Sequence, residues 1–375
     1  MENASGQNSS TKELKLYNPN RFNGLDGALC FITVLVAFAL MPYVVKLLLG
    51  DVLLAISKYD TYIYMVISVT ISQAVIFFVG FVYCKIRRVN PFAGGGYKAS
   101  WDGIHVLMSI MLTLGVMMLF YFTHSQFFGY ASELLPSSQG MPTVISPFSA
   151  LFALIYIAEI AVLPAIAEEM VFRGIIMRGF EQFGGLFAVL CSSVMFSLMH
   201  GNFGQLILQF IGGLAIGGVV YITKNYLLGS IMHFVNNAFS IIYTLLIIPL
   251  TDSPISYKIT AVTGSVTIIL GVVFCLVSGI YFISMLIEKE KNRALGKDTS
   301  FKYEKKRYYL MQSNGKEKLC PHDSVPTFYI KDERDDRLFL IKGQYRALNK
   351  GASYKLSFIL ICVGILLATI LLFLG

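Results

Sequence analysis

Long apolar stretches alternate with short polar ones along almost the whole chain. Runs of about 18 or more apolar residues are long enough to cross a bilayer as helices, at about 20 residues per span. They predict spans near Ala28–Leu49, Thr61–Cys84, Ile104–Phe128, Pro147–Glu168, Leu186–His200, Gln205–Thr223, Leu227–Ile248, Val262–Leu286 and Leu356–Leu374. The expected fold is an all-α, polytopic transmembrane helical bundle of eight to nine spans with a small cytoplasmic insert. Its expected parts are an N-terminal tail (1–27), a first group of helices (28–129), a core (147–248), an eighth span (262–286), a basic region (287–355) and a ninth span (356–374). The tail is too long, and the first span too late, for a cleaved signal peptide. Within the basic region, Thr327–Ile330 and Leu338–Ile341 flank a charged stretch and suggest a hairpin.

Composition agrees with this pattern. Of 375 residues, 55% are hydrophobic and only 14% charged, where a soluble domain carries about 25%. A water-soluble globule is excluded. The net charge of +8 reads as orientation rather than as affinity for nucleic acid, because Lys and Arg gather in cytoplasmic loops. With the N-terminus inside, 27 of the 30 basic residues fall on the cytoplasmic side, and Lys46, Lys58 and Lys258 fall outside. Membrane lipid is an expected partner: the basic run after the eighth span is drawn to anionic lipid by about 1 kcal/mol per residue. The six cysteines are scattered, with no paired spacing, and read as buried thiols.

Ionisable groups inside a span are expensive and mark candidate sites. Here they concentrate between residues 159 and 237, as Glu159, Glu168, Glu169, Arg173, His200 and His233, joined by Asn236 and Asn237. His105 and His124 stand apart and read as interfacial or packing residues. On a helix, Glu169 and Arg173 are four apart, the favourable order for an ion pair. Glu168 points about 100° away from its neighbour, without that cation, as a general base near neutrality requires. His233 and Asn237 share a face, so their donors can converge on one oxygen. Each pair also has a plainer reading, as a structural charge cluster or an interhelical hydrogen bond.

Depth ties these residues together. With a turn at Gly184-Gly185, Glu168 and His200 are equally far from it, roughly 24 Å at 1.5 Å per residue, and His233 reaches a similar level from the turn at Lys224-Asn225. The break at Gly201–Gly204 then falls at mid-depth, which irregular backbone tolerates only beside a cavity or inside protein. A water-accessible pocket toward the cytoplasmic half is expected. Pro164 is expected to kink the fourth helix, and Gly212-Gly213 and Gly217-Gly218 to allow close helix packing.

Glu168-Glu169-x-x-x-Arg173, Phe196-x-x-x-His200 and His233-x-x-x-Asn237 resemble, in order and spacing, the three motifs of the CPBP intramembrane proteases. This family of CAAX proteases and bacteriocin-processing enzymes includes the type II CAAX prenyl endopeptidases and the Abi proteins. The resemblance covers about residues 147–245. It implies that Glu168 and His200 activate a water, that His233 and Asn237 stabilise the oxyanion, and that Glu169 and Arg173 support them. The substrate it implies is a membrane-associated or lipidated peptide. The metalloprotease name often given to the family raises zinc; the chain has no HExxH, but Glu168, His200 and His233 are the candidate ligands. Two other readings stand beside the protease: a non-catalytic membrane scaffold or immunity protein, and a proton-coupled transporter, for which no internal repeat is seen.

Overall fold

The computed structural model of the chain describes residues 22–59, 61–87, 91, 99–127, 155, 157–242, 256–294 and 352–374, and four short strands between residues 308 and 340. The tail, the start of the fourth predicted span (147–154), the end of the seventh (243–248) and most of the basic region lie outside the described residues. Among the described residues the membrane part is all-α, with nine helices. They are α1 (Gly24–Tyr59), α2 (Thr61–Arg87), α3 (Gly103–Phe127), α4, α5 (Gly185–Met199), α6 (Phe203–Thr223), α7 (Tyr226–Ile242), α8 (Ser256–Ala294) and α9 (Ala352–Leu374). Helix α4 is built of four consecutive pieces, Ala158–Val162, Leu163–Val171, Phe172–Met177 and Arg178–Phe180. In the insert, β1 (Tyr308–Ser313) pairs with β2 (Lys316–Pro321), and β3 (Tyr329–Asp332) with β4 (Arg337–Leu340), both antiparallel. The second pair is the hairpin expected there, shifted by up to two residues.

Six helices (α1, α2, α3, α6, α8 and α9) are long and apolar enough to cross a membrane, which makes this a multi-pass integral membrane protein. The predicted fourth, fifth and seventh spans, carried by α4, α5 and α7, are not among these six, and the fourth and seventh run on into residues 147–154 and 243–248, outside the described ones. Helix α5 has 15 residues and α7 has 17, a rise of about 22 and 25 Å against a hydrocarbon core of about 30 Å. Helix α5 stops where Gly201 takes a positive φ of 60°, and the charges of α4 dilute its apolar character.

Local chemistry sets the helix ends. Asn23 and Asp26 cap α1 reciprocally, each side chain accepting the other's backbone N–H at 3.0 and 2.9 Å. The α4–α5 turn runs through Gly184 at φ 116°, a conformation open to glycine alone among common residues. Asn202 caps α6 by accepting Gly204 N–H at 2.8 Å. Polar contacts gather at the end of the bundle where α1, α3 and α7 begin. There Arg87 grips Asp26 at 2.6 Å, and Glu181 receives both Arg178 at 2.6 Å and Lys224 at 2.7 Å.

Small residues bring α4, α5, α6 and α7 together. A Cβ on Gly213 would meet Ser193 at 3.1 Å, and one on Gly217 would meet Val189 and Met177 at 3.4 and 3.5 Å. A Cβ on Gly218 would meet nothing within 4 Å among the described residues, so among these Gly217, and not Gly218, makes the close approach. The cysteines are also more varied than expected. Cys30 and Cys84 are buried, but Cys191 and Cys275 are half-buried and Cys362 is exposed. The outer face of a membrane helix is as apolar as its core, so apolar surroundings in sequence do not report burial.

Candidate active site

The polar centre is assembled from α2, α4, α5 and α7. Two π-helical turns, Ala158–Val162 and Phe172–Met177, bracket the α-helical Leu163–Val171. Pro164, in the first turn of that segment, has no N–H for the regular ladder, and the kink expected there takes the form of the first π turn. The bracketed piece carries Glu168 and Glu169, 5% and 0% exposed.

Glu169 is held on two sides. Its Oε1 accepts Arg173 Nη1 at 2.7 Å along α4 and His233 Nδ1 at 2.8 Å from α7. A carboxylate only accepts, so the proton between them sits on Nδ1, which leaves His233 Nε2 as the free face of the ring. Arg173 is itself enclosed: Nη2 reaches Gly213 O at 3.3 Å and the guanidinium lies over the Phe196 ring, 4.7 Å from its centroid. Gly229 on α7 makes room for this close approach, since a Cβ there would lie 3.0 Å from Glu169 Oε2.

Glu168 faces elsewhere. Its Oε1 accepts the amide Nε2 of Gln73 on α2 at 2.8 Å, while its Oε2 lies 3.8 Å from His233 Nε2. That Oε2 is buried and has no hydrogen-bond partner among the described residues. Phe196 joins the histidines to this group, with ring centroids 4.9 Å from His200 and 5.6 Å from His233. It also packs edge-on against Phe172 at 5.1 Å. Phe172 and Phe196 lie equally far from residue 184, so this contact matches the equal-depth expectation. His200 ends α5, its Nδ1 on Phe196 O at 2.8 Å, within electrostatic range of Glu168, His233 and Arg173.

Asn237 Nδ2 donates one proton to Ile160 O at 2.8 Å and Asn237 Oδ1 accepts Asn236 Nδ2 at 3.0 Å, which leaves the second Nδ2 proton of Asn237. Glu159, the remaining acid of α4, accepts Thr70 Oγ1 at 2.6 Å. His105 sits at the start of α3, paired with Asp102 at 3.2 Å, as an interfacial residue. The side chain of His124 lies outside the described residues.

The sequence reading missed Gln73. It tallied ionisable groups, and an uncharged amide in an apolar span escaped the tally; the spacing of Thr70 and Gln73, three apart on one face of α2, was the signal available. Glu168 and His233 are buried at this centre. A cavity of about 600 Å³ lies between α1 and α2, lined by Met41, Pro42, Lys46, Asp51 and Tyr64. Among the described residues no three His, Cys, Asp or Glu side chains converge closely enough to hold a metal ion. In each histidine one ring nitrogen is taken, His233 Nδ1 by Glu169 and His200 Nδ1 by Phe196 O, so Nε2 is the ring nitrogen each has left for chemistry.

Comparison with protein families matches residues 147–239 to the model described as Type II CAAX prenyl endopeptidase Rce1-like, about a quarter of the chain. Comparison with curated proteins and with solved structures gives no significant match. The matched stretch holds α4 to α7 up to residue 239, with every polar group of the centre except those on α2.

Proposed function

We propose that this chain, in which residues 147–239 are a type II CAAX prenyl endopeptidase Rce1-like domain of the CPBP family, is an intramembrane endopeptidase. It hydrolyses a peptide bond in a membrane-associated or lipidated peptide, with a CAAX-type prenylated peptide the first substrate to try. The observation that carries this reading is Glu168: one carboxylate oxygen is fixed by Gln73, and the other is buried, has no hydrogen-bond partner among the described residues and lies 3.8 Å from His233 Nε2.

In the proposed reaction a water donates to Glu168 Oε2. Glu168, assisted by His200, takes its proton as the oxygen attacks the scissile carbonyl carbon. His233, its ring oriented by Glu169 at Nδ1, faces the resulting oxyanion with Nε2. The second proton of Asn237 Nδ2 is offered to the same oxyanion. Collapse of the intermediate breaks the C–N bond, and Glu168 returns the proton to the leaving amine. Glu169 and Arg173 orient His233 and stay out of the chemistry. In support of a cytoplasmic N-terminus, the nine-span reading sets 27 of the 30 basic residues on that side, Arg87 and Lys224 among them.

The test is cleavage of a farnesylated CAAX peptide and a set of unmodified membrane peptides by protein in liposomes. Glu168→Gln keeps shape and removes the base; cleavage falls by a factor on the order of 10² to 10⁴ with unchanged thermal stability. Wild-type cleavage by that variant overturns the role of Glu168. Chelation followed by zinc return, on the same preparation, reports metal dependence separately.

A further inference from the structure

Gln73 lies on α2, outside the Rce1-like stretch, yet touches the carboxylate on which the proposed reaction turns. Its amide is oriented by chemistry: with Nε2 toward Glu168 Oε1 a donor meets an acceptor, whereas the flipped amide would set two acceptors at 2.8 Å. The other end of the amide, Oε1, is buried with no hydrogen-bond partner among the described residues. A glutamine kept for packing would satisfy both ends or give way to an apolar residue, because an unpaired buried acceptor costs about 1–3 kcal/mol. This one keeps its donor on Glu168 at the expense of its acceptor. One turn away, Thr70 makes the parallel contact from α2 to Glu159 at 2.6 Å, so the α2–α4 seam is held independently of Gln73.

We propose that Gln73 is a positioning residue for Glu168. It pins Oε1 and thereby fixes the direction of Oε2, the oxygen that faces His233 and, in the proposed reaction, the water. The proposal rests on the reading of Glu168 as the base. Its consequence is that the Rce1-like stretch does not complete its own site: the first group of helices supplies the contact that aims the base. Loss of that contact leaves peptide binding in place and misdirects proton transfer, so it acts on kcat and leaves KM unchanged.

The experiment compares full-length wild type, Glu168→Gln, Gln73→Met, Gln73→Asn and Thr70→Val in liposomes on whichever peptide the wild type cleaves. Gln73→Met keeps the length and removes the donor; Gln73→Asn keeps the amide and withdraws it by one methylene. Both are expected to lower kcat tenfold to a hundredfold, about 1.4–2.7 kcal/mol at 1.36 kcal/mol per tenfold, with KM and melting temperature unchanged. Thr70→Val, on the same face, keeps wild-type kcat. Wild-type kcat in either folded Gln73 variant, beside an inactive Glu168→Gln, overturns the positioning role and leaves Glu168 as the base. An equal loss in Thr70→Val, or a loss that tracks melting temperature, also overturns it, since the seam as a whole is then responsible. An active Glu168→Gln overturns the base reading itself, and this inference with it.

Discussion

Two groups of charged side chains hold the bundle, and they are finished differently. At the end where α1 and α3 begin, Asp26 meets Arg87, and Glu181 meets both Arg178 and Lys224; Lys224 also lies over the Tyr221 ring, 3.8 Å from its centroid. In the interior, Glu169 meets Arg173 and His233, yet Glu168 Oε2, Glu169 Oε2 and Arg173 Nε have no hydrogen-bond partner among the described residues. The end group closes on itself, as a clamp does. The interior group bears greater desolvation and still leaves acceptors open, which a clamp gains nothing by doing. Open, oriented acceptors are what a reaction centre needs, since substrate or water completes them.

The largest effect that distinguishes the two groups is expected at Arg173. Arg173→Met removes the cation of a buried pair and leaves Glu169 with His233 alone, for a loss of about 3–5 kcal/mol. A fall in melting temperature by a thermal-shift assay in detergent, together with loss of cleavage, is the expected result; wild-type stability would mean the interior pair is not holding α4 to α6 and α7. A smaller effect is expected at Gly229. Its Cβ would stand 2.8 Å from Val220 Cγ2 and 3.0 Å from Glu169 Oε2, so Gly229→Ala overpacks the α4–α7 contact by about 1–3 kcal/mol. Because the displaced group is the carboxylate that orients His233, cleavage falls further than stability does. Parallel measurement of kcat and melting temperature checks this, and equal proportional losses would reduce Gly229 to a packing residue.

The same contrast governs what was legible in the sequence. The helices were readable because apolar runs of membrane length have few other uses, and the turn at Gly184 because glycine pairs punctuate them. Glu168, Glu169, Arg173, His200 and His233 stood out because charge in an apolar span is expensive. The ion pair of Glu169 with Arg173 followed from spacing along one helix. The bond from Glu169 to His233 did not, since it spans 64 residues and depends on how α7 rotates against α4. Gln73 was hidden for the same reason, and because it carries no charge. Asn237 shows the limit from the other side. Its spacing from His233 places both on one face, but its amide reaches Ile160 O across the helix seam, a partner that no side-chain pattern announces.

The smallest effect is expected at the clamp. Lys224 is a caplike residue after α6, with φ of 53°, and its Nζ reaches Glu181 Oε1 at 2.7 Å. Glu181 keeps Arg178 at 2.6 Å when the lysine is gone, so no carboxylate is left without its counter-ion. Lys224→Asn also suits the left-handed backbone, which asparagine tolerates better than most residues. Stability is therefore expected to change by less than about 1 kcal/mol, with kcat and KM as in wild type. A loss of cleavage at normal melting temperature would mean that the two charged groups are coupled along α6 and α7. The closed clamp would then belong to the site it lies below, rather than only to the fold.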